Sequence, residues 1–334
     1  MKDAISRRHL HGATRWRRLT HVLAQSSREL ILLAAIFLAG AYFSTLSDHF
    51  LQADNLTTIL RNSVDLAIIG AGMTLVIIMG GIDVSVGGIL AVSAIFIGRA
   101  FQSDLPIVLI VLTGPVVGTC LGLINGLICT RGQVPPIIAT LGTMYVWLAV
   151  LFLIIGGRWI AGLPSTLAPL IRGEVLGIPS VVIIIGLVYG FCWFVLRLQP
   201  LGRHLYAIGN NELAARLSGV NVDRVKVATY AFLGCLAGFA ALLYVARLRN
   251  VEINIGTTIA LDAIAATILG GTNIKGGEGS LIGTLLGVLF IQMIQNGLVL
   301  TGVSSLWETV IVGTLLLLVL VLDTAHRQGL WKKR

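Results

Sequence analysis

Charge is scarce in this chain. Only 12% of its 334 residues are Asp, Glu, Lys or Arg, about half the share that a soluble domain carries. A surface so poor in charge is not built to face water. A phosphate-binding loop of the GxxxxGK[ST] type is also missing. The nearest approach, Gly270 to Lys275, lacks both the spacing and the hydroxyl after the lysine, so the chain is not expected to hydrolyse ATP itself. There is no HExxH, no Ser/His/Asp grouping and no paired-carboxylate site, and most of the six histidines (His9, His11, His21, His49, His204, His326) fall in predicted tails and loops. This argues against an intramembrane enzyme. The four cysteines, Cys120, Cys129, Cys192 and Cys235, stand singly in apolar stretches without CxxC spacing or neighbouring histidines. They read as small apolar packing residues, and neither a metal nor a cofactor is expected.

What is present is apolar: 56% hydrophobic residues and a mean hydropathy of +0.92. At roughly 20 apolar residues per crossing, the length allows about ten crossings and leaves no room for a separate soluble catalytic domain. The expected fold is therefore an all-α, polytopic bundle of transmembrane helices. Thirty-nine glycines fit that setting as close helix contacts and helix breaks, because small residues let backbones approach in lipid.

Nearly charge-free stretches run at 30–47, 66–82, 84–98, 105–130, 132–157, 175–196, 227–246, 263–274, 279–307 and 309–322. The stretches 84–98 and 263–274 are short for spans, so the distribution of the net charge of +9 has to arbitrate. Basic residues concentrate in three places: seven in residues 1–28, five in 197–226 (Arg197, Arg203, Arg216, Arg224, Lys226) and four in the tail (Arg327, Lys332, Lys333, Arg334). Cytoplasmic segments keep positive charge. All three segments share one side only if both short stretches cross, giving six spans and then four, although re-entrant hairpins would imitate that parity. The +9 is thus a membrane signal and not a nucleic-acid one. The expected organisation is a cytoplasmic basic arm over 1–28, a transmembrane domain over 29–325 with a cytoplasmic segment at 197–226, and a basic cytoplasmic tail at 326–334. Ala39-Gly40-Ala41 after the first apolar run imitates a signal-peptide cleavage site, but the long basic region favours a cytoplasmic arm touching anionic lipid through Arg15, Trp16, Arg17 and Arg18.

A weak internal repeat follows. Gly80-Gly81-Ile82-Asp83-Val84 with Gly87-Gly88 matches Gly270-Gly271-Thr272-Asn273-Ile274 with Gly276-Gly277, and each is followed by an Asn-Gly-Leu, at Asn125 and at Asn296. The spacing differs between the halves, so coincidence stays open, but glycine-interrupted segments in corresponding places point to a transport path. Ionisable groups at membrane depth cost at least about 2.5–3.5 kcal/mol each on insertion scales. Asp65 and Asp262 lie near predicted helix starts, where an aspartate caps free N–H groups, or else they couple ions to solute. Asp83 and Ser85 sit between glycines at an expected helix break, positioned to bond either solute hydroxyls or the freed backbone amides. The candidate path residues are accordingly Asp65, Asp83, Ser85, Asn125, Asp262 and Asn296. Residues 211–217 predict a short helix ending at Gly219 with Asn210 or Asn211 as its cap, either a dock for a separate motor or an ordinary amphipathic loop.

The run Gly72-Met73-Thr74-Leu75 through Gly81-Ile82-Asp83-Val84-Ser85-Val86-Gly87, the segment 202–220, and Leu261-Asp262-Ala263-Ile264 through Gly270-Gly271-Thr272 and Gly277-Glu278-Gly279-Ser280 resemble the permeases of ribose-type ABC sugar importers over roughly residues 55–320. That resemblance implies a second permease copy, a cytoplasmic ATP-binding subunit, a periplasmic sugar-binding protein and residence in the bacterial inner membrane. It also implies a coupling segment at Gly202, Gly209, Asn210, Glu212, Ala214, Ala215 and Gly219, with alternating access driven by the motor. The family's glutamate stands directly before the two alanines; here Glu212 lies one position early. The break glycines it marks are Gly80, Gly81, Gly87, Gly270, Gly271 and Gly277. A branched-chain amino acid permease and an ion-coupled secondary carrier are the alternatives; the motif around Asp83 argues against the former. The charge bias carries its own test. In a chain cleared of native cysteines, Ser218→Cys is expected to resist a membrane-impermeant thiol reagent applied from outside and to label once the membrane is opened.

Overall fold

The computed structural model describes residues 29–303 together with 307, 310, 311, 313, 314 and 317. The basic arm 1–28 and the tail 326–334 lie outside the described residues, and the apolar stretch 309–322 lies largely outside them. In chain order the helices are α1 (Glu29–Leu46), α2 (Ala53–Ile78), α3 (Val86–Gln102), α4 (Ile107–Thr130), α5 (Pro136–Ile155), α6 (Pro169–Arg172), α7 (Ser180–Leu198), α8 (Pro200–Asn210), α9 (Glu212–Leu217), α10 (Val222–Leu248), α11 (Ile259–Leu269) and α12 (Leu281–Leu300). The two-residue strands β1 (Glu174–Val175) and β2 (Ile178–Pro179) pair antiparallel as a small hairpin before α7. The fold is otherwise helical.

Seven helices, α1, α2, α4, α5, α7, α10 and α12, are long and apolar enough to cross a bilayer. The most apolar part of α2 is 89% buried, against 17–28% for α1, α4, α5 and α7. α2 is therefore the central post, and the latter four turn much of their surface to lipid. The two short stretches resolve differently. α3 has 17 residues, about 25 Å at 1.5 Å per residue, which nearly matches the ~30 Å hydrocarbon core. α11 has 11, about 16 Å, and reaches only half-way.

One sequence boundary needs correcting. α2 does not begin at 66; it begins at Ala53 and runs through Arg61 and Asp65. The Asp65 charge stays in the helix because it has a partner there: Arg247 of α10 donates to Asp65 and, at 2.8 Å, to Oδ1 of Asn62. Asp65 is thus an ion-pair partner in mid-helix and not a cap.

Close packing comes from glycine. Gly114, Gly118, Gly122 and Gly126, at intervals of four, line one stripe of α4. A Cβ placed on them would lie 2.4 Å from Gly238 O, 2.1 Å from Gly234 O, 2.3 Å from Tyr230 O and 2.7 Å from Val227 Cα of the antiparallel α10. The falling partner numbers show two helices in backbone contact along four turns. α11 meets α12 in the same way, with Gly270 against Gly283 and Ala266 against Gly287.

Gly118→Ala forces α4 and α10 apart and is expected to destabilise the protein by about 1–3 kcal/mol. Gly186→Ala in α7, with nothing within 4 Å of its added Cβ, is expected to be neutral or to stabilise by up to about 1 kcal/mol. Thermal unfolding of the two variants in detergent, side by side, checks this.

Candidate functional site

Both glycine motifs interrupt helices, and with the same local chemistry. At the end of α2, Gly80 N–H donates to Ile77 O (2.8 Å) and Gly81 N–H to Val76 O (2.9 Å); at the end of α11, Gly271 N–H donates to Ile268 O (2.8 Å) and Thr272 N–H to Thr267 O (3.1 Å). Gly80 and Gly271 hold φ at +85° and +91°, the left-handed region that closes a helix and that only glycine enters cheaply. Three residues past Gly80 and two past Gly271 a side-chain turn follows: Asp83 accepts from Ser85 N–H (2.8 Å), and Asn273 from Lys275 N–H (3.1 Å).

The first break is locked from inside the protein. Asp83 accepts a second bond from Ser85 Oγ (2.6 Å), and Asn125 Nδ2 lies 3.2 Å from Asp83 Oδ2 and 2.6 Å from Ser85 Oγ. Thr140 of α5 closes the strand-like stretch, accepting from Val84 N–H at 3.2 Å and donating towards Ile82 O at 3.2 Å. Asp83, Ser85, Asn125 and Thr140 are all fully buried. Of the two roles open for Asp83, this geometry realises the bonding of freed backbone.

The second break docks onto the first. Gly277 N–H donates to Ile78 O at 2.8 Å, and a Cβ on Gly276 would lie 3.0 Å from Gly80 Cα and from Gly209 Cα. Gly209, near the end of α8, sits so close to Ile78 O that its Cβ would be 1.9 Å away, and Gly277 abuts the Asn210 carboxamide. The segment 197–226 thus ends against both breaks, backbone to backbone. Gly202 lets α8 turn tightly off α7, with Leu196 O 2.2 Å from its hypothetical Cβ. Beyond Asn210, α9 is capped by Asn211, whose side chain accepts from Ala214 N–H (2.9 Å), and it ends before Gly219 at φ +83°. Only Ala215 of α9 is buried, while Leu213 and Leu217, one turn apart, are 68% and 81% exposed. Glu212 faces α10: Lys226 Nζ is 2.8 Å and Arg216 3.0 Å away, and Arg216 also reaches Asp223 at 2.6 Å. Partial burial raises the Glu212 carboxyl, but the Lys226 and Arg216 bonds outweigh it and hold the group below its usual range.

At the other end of α2 lies a polar cavity of about 640 Å³, within the range of small-molecule sites. Leu66 in its wall is separated from Ile78 by about 18 Å of helix. Three of the expected path residues, Asp65, Asp262 and Asn296, line it. The other three, Asp83, Ser85 and Asn125, form the buried lock instead. The Asn-Gly-Leu repeats are therefore not equivalent: Asn125 holds a break, whereas Asn296 pairs with Asn55 through two 2.9 Å bonds in the cavity wall. The half-helix α11 starts at this cavity, with Asp262 in its first turn. The chain before it folds inward, where Gly256 packs on Gly87 with Gly256 O 2.0 Å from Gly87's hypothetical Cβ.

Arg247, Tyr244, Glu252 and Asn55 also line the cavity, and sequence reasoning missed them. Apart from Asp262, residues 247–262 fall between the apolar stretches 227–246 and 263–274 and carry no motif of their own. The available signal was opposite charge at the edges of two apolar runs, Asp65 and Arg247. Among the described residues, no group of three or more His, Cys, Asp or Glu is arranged to hold a metal ion.

If Asp83 is a lock, Asp83→Ala strands the Ser85 and Asn125 donors and costs about 1–3 kcal/mol of stability, with Asp83→Asn costing less. Denaturation in detergent reads the loss, and a variant that changes solute affinity at full stability contradicts the assignment.

A family model described as "Branched-chain amino acid transport system / permease component" matches residues 55–320. The ribose import permease protein RbsC of Bacillus subtilis is 41% identical over 290 residues, covering 86% of this chain and 90% of the relative. RbsC of Escherichia coli K12 is 37% identical over 295 residues, covering 87% and 92%. The autoinducer 2 import system permease protein LsrC of Escherichia coli O9:H4 is 31% identical over 306 residues, covering 92% and 90%. No solved structure matches the chain. A model spanning most of the residues and relatives alike from end to end lead to one conclusion: the chain belongs to this family of transport-system permease components, alongside the ribose import permeases.

Proposed function

We propose that the chain is the membrane-spanning permease subunit of an ATP-binding-cassette importer in the bacterial inner membrane, and that it passes a monosaccharide or similar neutral hydroxylated solute by alternating access. The observation that carries this reading is the packing of α8 on both helix breaks, with the polar cavity at the far end of the same central helix. The RbsC relatives, named for ribose import, support a sugar as the solute.

A separate ATP-binding subunit supplies the energy, since this chain has no phosphate-binding loop. That subunit docks on α9, where Leu213 and Leu217 offer an exposed apolar step and the ion pairs of Glu212 fasten the helix to α10. Displacing α9 and α8 displaces Gly209, and with it Ile78 and Gly277. A periplasmic sugar-binding protein delivers the solute to the opposite face, and a second permease copy completes the pore. Each partner shifts the inward–outward equilibrium only by its differential affinity for the two states. The finer topology that goes with this mechanism is ten crossings with both termini cytoplasmic: α1–α5 and α7 make six, and α10, α11 with its inward-folded approach, α12 and the stretch 309–322 make four. The basic arm lies on anionic lipid. An ion-coupled carrier is disfavoured because Asp65 is engaged by Arg247 and Asp83 is locked.

Proteoliposome uptake is expected to require ATP, the ATP-binding subunit and the binding protein together; uptake by this chain alone on an ion gradient would overturn the proposal. Gly209→Val is expected to leave the ATP-binding subunit docked and hydrolysing while uptake per ATP falls about tenfold or more, as befits a backbone contact that has no room for a side chain. The Glu212 pairs add stability above the ordinary carboxylate value of 4.5 and lose it as pH falls through the lower folded value, so docking measured by co-purification is expected to weaken only on strong acidification.

A further inference from the structure

The cavity holds one arrangement that neither packing nor coupling uses. Asp65 lines it with a side chain only 4% exposed, paired to Arg247, yet among the described residues Asp65 Oδ1 and Arg247 Nε have no hydrogen-bond partner. Buried polar atoms are nearly always satisfied, and an orphaned pair inside a cavity calls for a ligand. Its chemistry is narrow. Oδ1 only accepts and Nε only donates, so the group that satisfies both is one that donates and accepts at once. A hydroxyl does this. An ammonium would satisfy the carboxylate but face the guanidinium, and a phosphate or carboxylate would satisfy the guanidinium but face Asp65. Glu252 and Asp262 in the same wall add negative charge, which further excludes anions.

The surroundings fit a polyol. Tyr244 also lines the cavity, with the Arg247 guanidinium carbon over its ring at 5.7 Å from the ring centre, and an aromatic ring is a surface on which sugar C–H groups pack. The Asn55–Asn296 carboxamide pair also lines the wall; Asn55 spends both amide hydrogens on Phe50 O and Asn296 Oδ1, while Asn296 keeps one N–H and both oxygens keep a lone pair for further hydroxyls.

We infer that the Asp65–Arg247 pair, with Tyr244, is a solute subsite that takes a neutral ring bearing adjacent hydroxyls, so that the permease itself discriminates by hydroxylation and does not leave selectivity wholly to a binding protein. The inference rests on the importer reading for the nature of the solute, but its site and chemistry are tested on this chain alone.

The full-length chain is placed in lipid nanodiscs, without partners, and titrated with radiolabelled D-ribose, D-xylose and D-galactose, with 2-deoxy-D-ribose and D-ribose 5-phosphate as competitors. At least one of the three sugars is expected to bind saturably with a Kd on the order of 1 mM. The deoxy sugar is expected to compete about tenfold more weakly than ribose, the worth of one hydroxyl partner, and the phosphate not at all. The double variant Asp65→Asn with Arg247→Gln, which removes both charges together, is expected to lose that discrimination while melting as a folded protein. Tyr244→Leu leaves the ion pair intact and is expected to weaken sugar binding; it decides the matter if the double variant does not fold. Absence of saturable binding by folded wild-type chain, meaning that only water meets the pair, overturns the inference. So do equal competition by the phosphate, unchanged discrimination in the folded double variant, and unchanged binding by Tyr244→Leu. Failure here leaves ATP-dependent uptake intact, whereas failure of the importer reading appears as uptake that needs neither ATP nor the motor.

Discussion

Lipid offers no hydrogen bonds, so a helix that stops inside the bilayer must find partners for its freed backbone within the protein. In this chain the two breaks meet that demand partly on each other, where the N–H of Gly277 donates to the carbonyl of Ile78, and partly through Asp83 and Thr140 at the first break. Two helices stop, and each supplies what the other lacks. The contact depends on Gly209, Gly276 and Gly277 having no Cβ, since the clearances there leave little or no volume for one. A structure joined through backbone is stiff, since no rotamer can absorb a displacement. That makes the junction a place where movement of α8 is transmitted and not dissipated.

The rest of the architecture keeps two chemistries apart along α2. One end carries an acidic, carboxamide-rich cavity, and the other carries the glycine junction and the short helix α9. Between them α2 is almost wholly buried, and α10 packs against it while also meeting α4 backbone to backbone. Because α10 bears Arg247 at one end and Lys226 at the other, the same helix touches the ion pair of the cavity and the ion pair of Glu212. The cavity and the segment 197–226 thus share two helices, α2 and α10.

Much of this was legible in the residues. The apolar stretches located the spanning helices, Asn211 and Gly219 marked the ends of α9, and the Gly-Gly motifs marked both breaks. Glu212, one position out of the family's pattern, is spent on Lys226 and Arg216. Elsewhere hydropathy misled. It started α2 thirteen residues late, because it treats a charge as an end and cannot see that Arg61 and Asp65 lie in a helix lined by polar partners. It also gives no signal that Arg247, Glu252 and residues 254–259, between two apolar stretches, wall the cavity.

Membrane residence, the lack of a phosphate-loop motif and the positions of the breaks follow from the sequence by itself, since each rests on a local property: transfer free energy, a contiguous motif, or a residue able to adopt positive φ. What tertiary structure decided is how the six path candidates divide. Asp83, Ser85 and Asn125 look like ligands in the sequence and turn out to hold the backbone together; Asp65 looks like a cap and instead lines the cavity with Arg247. A polar residue in a bilayer must be satisfied, but whether by backbone, by a counter-ion 182 positions away or by a solute is a question of which groups meet across helices, and spacing along the chain does not contain it.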